Sequence, residues 1–283
     1  MNLLRGALVG IAEVIPGVSG GTIALIVGVY ERVIDSAAAA SKAILAGLRV
    51  RFQDARQHIS QIDFRLLIPL LVGMFTAIFL AAAAIEPLLQ AEPEAMRGLF
   101  FGMIAVSLYV PYRLAASRWL PRDFVIAVLA AALSFALLSL PRGAESEPQL
   151  ITVFVVAMIA VCALVLPGVS GSFLLLALGY YAPTIAAVND RDLAYLGVFV
   201  LGAITGLALF STLLSWLLDN RRRVTLVVMT GLMLGSLRAL WPWQSDSGEL
   251  SSPQGAVPMF FALLGAAIVA GIMLVERRVQ NRQ

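Results

Sequence analysis

The chain has 283 residues, of which 60% are hydrophobic and 13% are charged, and its mean hydropathy is +0.91. Soluble domains are about 25% charged, so this composition excludes a soluble domain and indicates an integral membrane protein. The net charge of +3 is therefore a guide to membrane orientation rather than a sign of nucleic-acid binding.

The first predicted element is an apolar hairpin over residues 2–35, interrupted by the sequence PGVSGG at 16–21. Proline removes a helical hydrogen bond, so the helix is expected to break at Pro16-Gly17. The turn carries no basic residue, which favours a tip held within the membrane. The alternative is that this segment crosses the membrane completely twice, which would also return the chain to the side on which it started.

A cytoplasmic amphipathic insertion is predicted next, over residues 42–63. Its basic residues, with the one that follows, place it in the cytoplasm: Lys42, Arg49, Arg51, Arg56 and Arg65. Apolar residues spaced between them predict a helix lying on the membrane surface. His58, the only histidine, falls in this segment and is expected to be a solvated surface residue.

Three membrane spans, at about 66–85, 98–112 and 124–140, complete a first repeat over residues 1–145. A second repeat over 146–283 begins with a 39-residue uncharged stretch, 150–188. As one helix it would measure ~58 Å, against a hydrocarbon core of ~30 Å, so it must fold back, with Pro167-Gly168 as the expected break. Spans at 193–218, 224–241 and 256–275 follow.

The two repeats are recognised by two fixed shifts in residue number. A shift of 151 aligns PGVSG at 16–20 with PGVSG at 167–171, and a shift of 129 aligns Gly73 with Gly202 and Gly102 with Gly231. Loop charges place both termini in the cytoplasm and orient the repeats oppositely. The predicted fold is therefore an all-α polytopic membrane protein of two inverted-topology repeats, each a re-entrant or two-span hairpin plus three transmembrane helices. Broken helices in inverted repeats are typical of transporters, with the site at the repeat interface.

The two turns have the chemistry of an anion site. Ser19 and Ser170 are expected to cap the half-helices that follow, where unpaired N–H groups and the helix dipole attract negative charge. The other residues expected to supply backbone or hydroxyl donors are Gly20, Gly21, Thr22, Gly171 and Ser172. The alternative is that both turns are helix breaks where small residues let backbones pack closely.

Two charged residues stand out within apolar segments, where charge is expensive and marks function. Glu13, three residues before Pro16, is expected to carry a proton or orient a substrate; the alternative is a structural acid that stays protonated. Arg238 either draws in an anionic headgroup or extends to the interface beside Trp241 and Trp243. The sequence shows no metal-binding cluster and no nucleophile–base–acid set, so no catalytic residue, metal or cofactor is predicted.

The segments EVIPGVSGGTIALIVGVYERVI, LPGVSGSFLLLALGYY and GLMLGSLRALWPW resemble the bacterial polyprenyl-phosphate transporter family, formerly catalogued as an uncharacterised membrane domain. The resemblance implies a flippase of the bacterial inner membrane that returns undecaprenyl phosphate, or a related polyprenyl phosphate, to the cytoplasmic leaflet for cell-envelope carrier recycling. It places Glu13, Arg238 and the turn residues at or near the phosphate. The second turn departs from the first, with Ser172 and Phe173 in place of Gly21 and Thr22.

Two other functions remain open at this stage. An integral-membrane undecaprenyl-diphosphate phosphatase also uses inverted hairpins, but its PG-x-S turn is followed by arginine, where this chain has Gly20 and Gly171. A small-anion channel or exchanger would share the two-turn site. Proton coupling, sodium coupling, passive transport and homo-oligomerisation are all compatible with the sequence.

Overall fold

The computed structural model describes residues 1–14, 19–116, 118–139, 149–167, 171, 174–175, 178–244 and 249–280. Within these ranges the regular structure is helical, apart from one isolated bridge between Gln244 and Leu250. The expectation of an all-α polytopic membrane protein is confirmed.

The helices follow the order expected from the sequence. Those of the first half are α1 (Asn2–Val14), α2 (Gly20–Ile26), α3 (Tyr30–Leu48), α4 (Phe52–Ser60), α5 (Phe64–Ala91), α6 (Pro93–Ser107), α7 (Tyr109–Ala115) and α8 (Pro121–Leu137). Those of the second half are α9 (Leu150–Val165), α10 (Tyr181–Asn189), α11 (Leu193–Asn220), α12 (Arg222–Ser236) with a 3₁₀ turn at Leu237–Leu240, and α13 (Val257–Gln280).

Several helix starts carry clear local signals. Pro93 and Pro121 occupy the first helical turn of α6 and α8, where a missing N–H costs nothing. Asp192 precedes α11 and accepts hydrogen bonds from the N–H groups of Ala194 and Tyr195, both at 3.0 Å. Asp63 likewise precedes α5 and accepts from the Leu66 N–H at 3.1 Å.

Among the described residues, three helical segments are long and apolar enough to cross a membrane alone: Pro93–Ala115, Leu193–Asn220 and Arg222–Leu240. The pair α4 and α5 would add a fourth if counted as one bent span, and its two parts meet at 69°. Large apolar side chains are exposed on the outer helix faces, including Phe79 and Leu263. Such exposure is expected of side chains that face lipid.

One predicted boundary is wrong. The second arm of the first hairpin was expected to end at 35 and the surface insertion to begin at 42, but α3 continues without a break to Leu48. An alanine-rich stretch with strong helix propensity, SAAAASKAILAGL, covers this junction and carries the helix through it. Only α4 remains as a separate helix within the insertion.

The helix bounds in the two halves follow the shifts found in the sequence. Helices α5 and α11 both have 28 residues, and α6 and α12 both have 15. Their starts differ by 129 residues. Gly28 and Gly179, related by the shift of 151, both have positive φ, at 70° and 78°. Glycine adopts this conformation without steric cost.

The same helix-to-helix contact occurs in both halves. A Cβ atom on Gly73 of α5 would lie 2.0 Å from the Leu3 carbonyl oxygen of α1. A Cβ atom on Gly202 of α11 would lie 2.3 Å from the Phe154 carbonyl oxygen of α9. The residue numbers of Leu3 and Phe154 differ by 151, and those of Gly73 and Gly202 differ by 129. Each half therefore packs its first helix backbone-to-backbone on its first long span.

The last helix of each half packs against the other half. Gly102 of α6 approaches the Ala262 carbonyl of α13, and Gly231 of α12 approaches the Ala127 carbonyl of α8. An ion pair between Arg223 of α12 and the buried Asp123 of α8 adds to this packing between the two halves. The division at 145/146 thus describes the sequence repeat, while packing joins the two repeats into a shared helix bundle.

Charged residues near the start of α3 contact neighbouring helices. Glu31 accepts from the Arg222 guanidinium of α12 at 2.7 Å, and Asp35 accepts from the Ser215 hydroxyl of α11 at 2.7 Å. Arg32 pairs with Asp63 at the corner between α4 and α5. These contacts fix α3 between α11 and α12 on one side and the start of α5 on the other.

Candidate functional site

The break between α1 and α2 is bridged by an acid. The Oε1 atom of Glu13 accepts a hydrogen bond from the Gly20 backbone N–H at 3.0 Å. A Cβ atom on Gly20 would lie 2.1 Å from that oxygen, so only glycine allows this approach. The first backbone donor of α2 is therefore held by a carboxylate of the same chain.

The first turn also contacts the end of α9, which lies just before the second turn. The Ser19 hydroxyl donates to the Leu166 carbonyl at 3.2 Å, and the Tyr30 hydroxyl donates to the Val165 carbonyl at 3.1 Å. The last carbonyls of a helix have no partner within it. Side chains from the first half therefore satisfy acceptors at the end of α9, in the second half.

Gly21 belongs to the same contact. A Cβ atom there would lie 2.8 Å from the Val165 carbonyl oxygen and 3.3 Å from the Ser19 hydroxyl. Ser19 and Thr22 are both buried, with exposed fractions of 2% and 0%. The small residues of the turn thus bring two backbones together, as the packing alternative anticipated.

The two halves differ at the position of the acid. Gly171, the equivalent of Gly20, has the Cβ of Leu164 as a neighbour, 3.2 Å from where its own Cβ would stand. Leu164 is the equivalent of Glu13 by the shift of 151. The predicted asymmetry between Glu13 and Leu164 therefore falls at a matched place in the structure, and only the first half offers a carboxylate there.

The expected capping role of Ser19 is wrong. Ser19 is the residue before α2, but its side chain makes no capping hydrogen bond. Its hydroxyl donates to carbonyls of α9 instead, and Glu13 takes the N-terminal N–H. Carbonyls left unpaired at the end of a helix compete for the hydroxyl, which the sequence of one turn does not reveal.

Several predicted site residues lie outside the described residues. These are Ser170 and Ser172, together with the expected breaks at Pro16-Gly17 and at Gly168. The structure does describe the end of α9 at Val165, two residues before Pro167, so the predicted interruption of the 150–188 stretch is confirmed.

Arg238 contacts the end of α8. Its Nη1 atom donates to the Leu138 carbonyl at 3.0 Å, and its guanidinium lies 5.4 Å from the centre of the Phe135 ring. This geometry combines a carbonyl at a helix end with a cation–π contact. Arg238 thus joins the 3₁₀ turn after α12 to the end of α8.

Tyr30 is the contact residue that sequence reasoning missed. It is aligned with Tyr181 by the shift of 151, and both residues begin helices, α3 and α10. Tyr30 is buried, with 3% of its surface exposed, whereas Tyr181 is exposed at 42%. A tyrosine at a matched position in both repeats was the available signal.

The Gly20 N–H is already occupied by the Glu13 carboxylate. A phosphate can reach the Gly20 N–H only if the Glu13 carboxylate leaves it, because two negative charges at one donor repel each other. Within the described residues no group of three or more potential metal-ligating side chains occurs.

Comparisons with known proteins show the family of the chain. Residues 9–257 match the family described as undecaprenyl phosphate translocase-like. A polyprenyl-phosphate transporter of Vibrio cholerae is 38% identical over 90% of this chain and 82% of its own length. A polyprenyl-phosphate transporter of Staphylococcus aureus is 27% identical over 86% of each chain. No solved structure matches. Both relatives are transporters rather than enzymes, and the chain belongs to the undecaprenyl phosphate translocase-like family.

Proposed function

We propose that this protein transports a polyprenyl phosphate across the bacterial inner membrane, with the phosphate passing the contact between the two turns. The observation that carries the proposal is the hydrogen bond from the Gly20 N–H to Glu13, beside the Ser19 contact with α9. A backbone donor at a helix start is a natural phosphate ligand, and here it is held by an exchangeable carboxylate.

The direction is inward, from the outer to the cytoplasmic leaflet, in the recycling of the lipid carrier used for cell-envelope polymers. The names of the relatives support polyprenyl phosphate as the cargo. Basic residues concentrated in the 42–65 segment and in Arg221–Arg223 support cytoplasmic termini.

Inverted, re-entrant hairpins are part of the proposal. Helix α1 has 13 residues and α9 has 16, which correspond to ~20 Å and ~24 Å at ~1.5 Å per residue, against a core of ~30 Å. Helices of this length support hairpins that turn back inside the membrane. The matched glycine contacts in α5 and α11 support two equivalent repeats around the shared site.

Glu13 links phosphate binding to a second event. Protonated Glu13 would donate a hydrogen bond to phosphate, whereas ionised Glu13 would repel it. Phosphate binding therefore favours uptake of a proton, or of a sodium ion that neutralises the carboxylate. The lipid tail stays in the bilayer while the headgroup crosses between the turns.

The test is a leaflet-accessibility assay of polyprenyl phosphate in proteoliposomes, with and without an imposed pH gradient. We expect protein-dependent transfer of the lipid between leaflets. Release of inorganic phosphate from undecaprenyl diphosphate would instead indicate a phosphatase. Movement of chloride or free phosphate without transfer of the lipid would indicate a small-anion channel or exchanger.

A further inference from the structure

A basic cavity lies where α3 ends and α4 begins, in the 42–65 segment, which carries five basic residues. Its volume is about 220 Å³. The lining side chains that matter are Lys42, Arg49, Arg51, Asp54, His58 and Leu45. This volume is of the size needed for a phosphate with part of its ester.

The cations of the cavity are available to a ligand. Arg32, Arg222 and Arg223 each pair with an acid of a neighbouring helix. In the ranges that the structure covers, no ion pair involves Lys42, Arg49 or Arg51. Three cations against one acid, Asp54, give these side chains a net charge of about +2, which matches a phosphate monoester or diester.

The connection between α3 and α4 presents two of these cations. Arg49 and Arg51 flank Val50, which has φ 58°. A β-branched residue in the left-handed region is a strained conformation, and such strain is found preferentially at functional sites. The first turn of α4 adds N–H groups that a helix cannot pair internally, and Arg51 and Asp54 border it.

The surroundings of the cavity indicate a membrane surface. Helix α4 lies at 69° to α5, so the two helices do not share one axis through the membrane. Leu48, Val50 and Phe52 beside the cavity are exposed by 70% or more. An exposed apolar flank next to a cationic cavity fits a lipid whose phosphate enters the cavity and whose chains lie along that flank.

The cavity walls are held in place by the rest of the fold. The Arg32 guanidinium pairs with Asp63, and the Asp63 N–H donates to the Ser36 hydroxyl at 3.2 Å. These contacts attach the corner between α4 and α5 to α3. A cavity built between fixed helices can select one ligand geometry, which a mobile basic loop cannot.

We propose that this cavity binds the phosphate headgroup of one membrane lipid at the membrane surface, at a site separate from Glu13 and Gly20. The recognised group is the lipid phosphate. It is carried equally by an anionic phospholipid such as phosphatidylglycerol and by a polyprenyl phosphate. The site does not depend on transport, because its cations belong to α3, α4 and their connection.

The test measures lipid retention by the full-length protein in phosphatidylcholine nanodiscs containing phosphatidylglycerol, using native mass spectrometry. The variant Arg49→Gln/Arg51→Gln removes two lining cations. The matched control Arg56→Gln/Arg65→Gln removes two exposed cations of the same segment that do not line the cavity. At about fivefold per cation, we expect retention of one phosphatidylglycerol to fall by roughly 30-fold in the first variant and by at most a fewfold in the control.

Further measurements distinguish binding of phosphatidylglycerol, of polyprenyl phosphate and of free inorganic phosphate. Retention of polyprenyl phosphate with the same sensitivity to the first variant would support the site and show that it accepts the cargo lipid. Equal losses in both variants would show diffuse surface attraction and overturn the proposal. Binding of inorganic phosphate without lipid retention would also overturn it, in favour of a free-anion site. Circular dichroism and thermal unfolding of both variants check that each is folded.

Discussion

The Glu13 carboxylate and the Gly20 N–H, seven residues apart, are joined by a 3.0 Å hydrogen bond across the break between α1 and α2. The equivalent pair in the second half, Leu164 and Gly171, has no such bond because leucine cannot accept one. One half therefore carries a charge that can be exchanged, and the other provides an apolar wall. Coupling and substrate binding are expected to depend on the first half.

Replacement of Gly20 by alanine tests the contact between Glu13 and the helix start. The added Cβ would lie 2.1 Å from the Glu13 Oε1 atom, so the carboxylate must move and the N–H is screened from any anion. Loss of a hydrogen bond to a charged group is worth ~1.5–3 kcal/mol, so we expect transport in proteoliposomes to fall roughly 10- to 100-fold.

The matched control for Gly20→Ala is Gly47→Ala. Gly47 lies in α3, and a Cβ there would meet nothing within 4 Å. Alanine is the better helix former by up to about 1 kcal/mol, so this variant should keep full transport and equal or higher stability. Equal transport by both variants would exclude Gly20 from the path of the phosphate.

The variant Glu13→Gln tests ion coupling. Glutamine can still accept from the Gly20 N–H, but it cannot take up a proton or neutralise a sodium ion. We expect the response of polyprenyl-phosphate transport to an imposed pH or sodium gradient to disappear. Glu94→Gln, which changes an exposed acid in the first turn of α6, should leave that response intact. A gradient response that survives in Glu13→Gln would assign coupling to another residue.

The sequence predicted features whose evidence lies in the residues themselves. It did not predict contacts between residues that lie far apart along the chain. The shift of 129 relates the starts of α5 and α11, but the spans expected at 66–85 and 193–218 are both shorter than the 28-residue helices of the structure. The partner of Ser19 could not be predicted, because the Leu166 carbonyl lies 147 residues away. The extension of α3 to Leu48 was missed because loop charge was given more weight than alanine content.

The hydroxyl groups of Ser19 and Tyr30 are expected to stabilise the meeting of the two turns. Each donates to a carbonyl at the end of α9, and a buried carbonyl that loses its donor costs about 1–3 kcal/mol. Ser19→Ala and Tyr30→Phe should therefore each lower the midpoint of thermal unfolding in detergent and slow transport.

A double-mutant cycle distinguishes one shared contact from two independent ones. If both hydroxyls hold the same helix end, the double variant should cost less than the sum of the single variants. Ser107→Ala is the control: its buried hydroxyl bonds only to the Met103 carbonyl of its own helix. A loss of transport as large in Ser107→Ala would indicate a general effect of removing buried hydroxyls.

The corner between α4 and α5 should weaken in acid. The hydrogen bond from the Arg32 guanidinium lowers the pKa of Asp63 below its ordinary value of 3.8. A carboxyl with a lowered pKa in the folded state stabilises the fold above the unfolded value, and that contribution is lost as pH falls through the folded pKa. The protection of α4 amides against hydrogen exchange, corrected for the intrinsic exchange rate at each pH, should therefore fall below about pH 4. In Arg32→Gln, exchange should already be faster at neutral pH and should change less in acid.

Gly202 and Gly197 provide a comparison within one helix. A Cβ on Gly202 would lie 2.3 Å from the Phe154 carbonyl oxygen, a backbone atom that moves only if α9 and α11 separate. Overpacking of this kind costs about 1–3 kcal/mol, so Gly202→Ala should lower the midpoint of unfolding. Gly197, on the same helix, has nothing within 4 Å of its Cβ position, and Gly197→Ala should be neutral or stabilising. Gly73→Ala should repeat the loss in the first half, because its Cβ would lie 2.0 Å from the Leu3 carbonyl oxygen. Equal midpoints for Gly202→Ala and Gly197→Ala would show that α9 and α11 are not in backbone contact in the membrane protein.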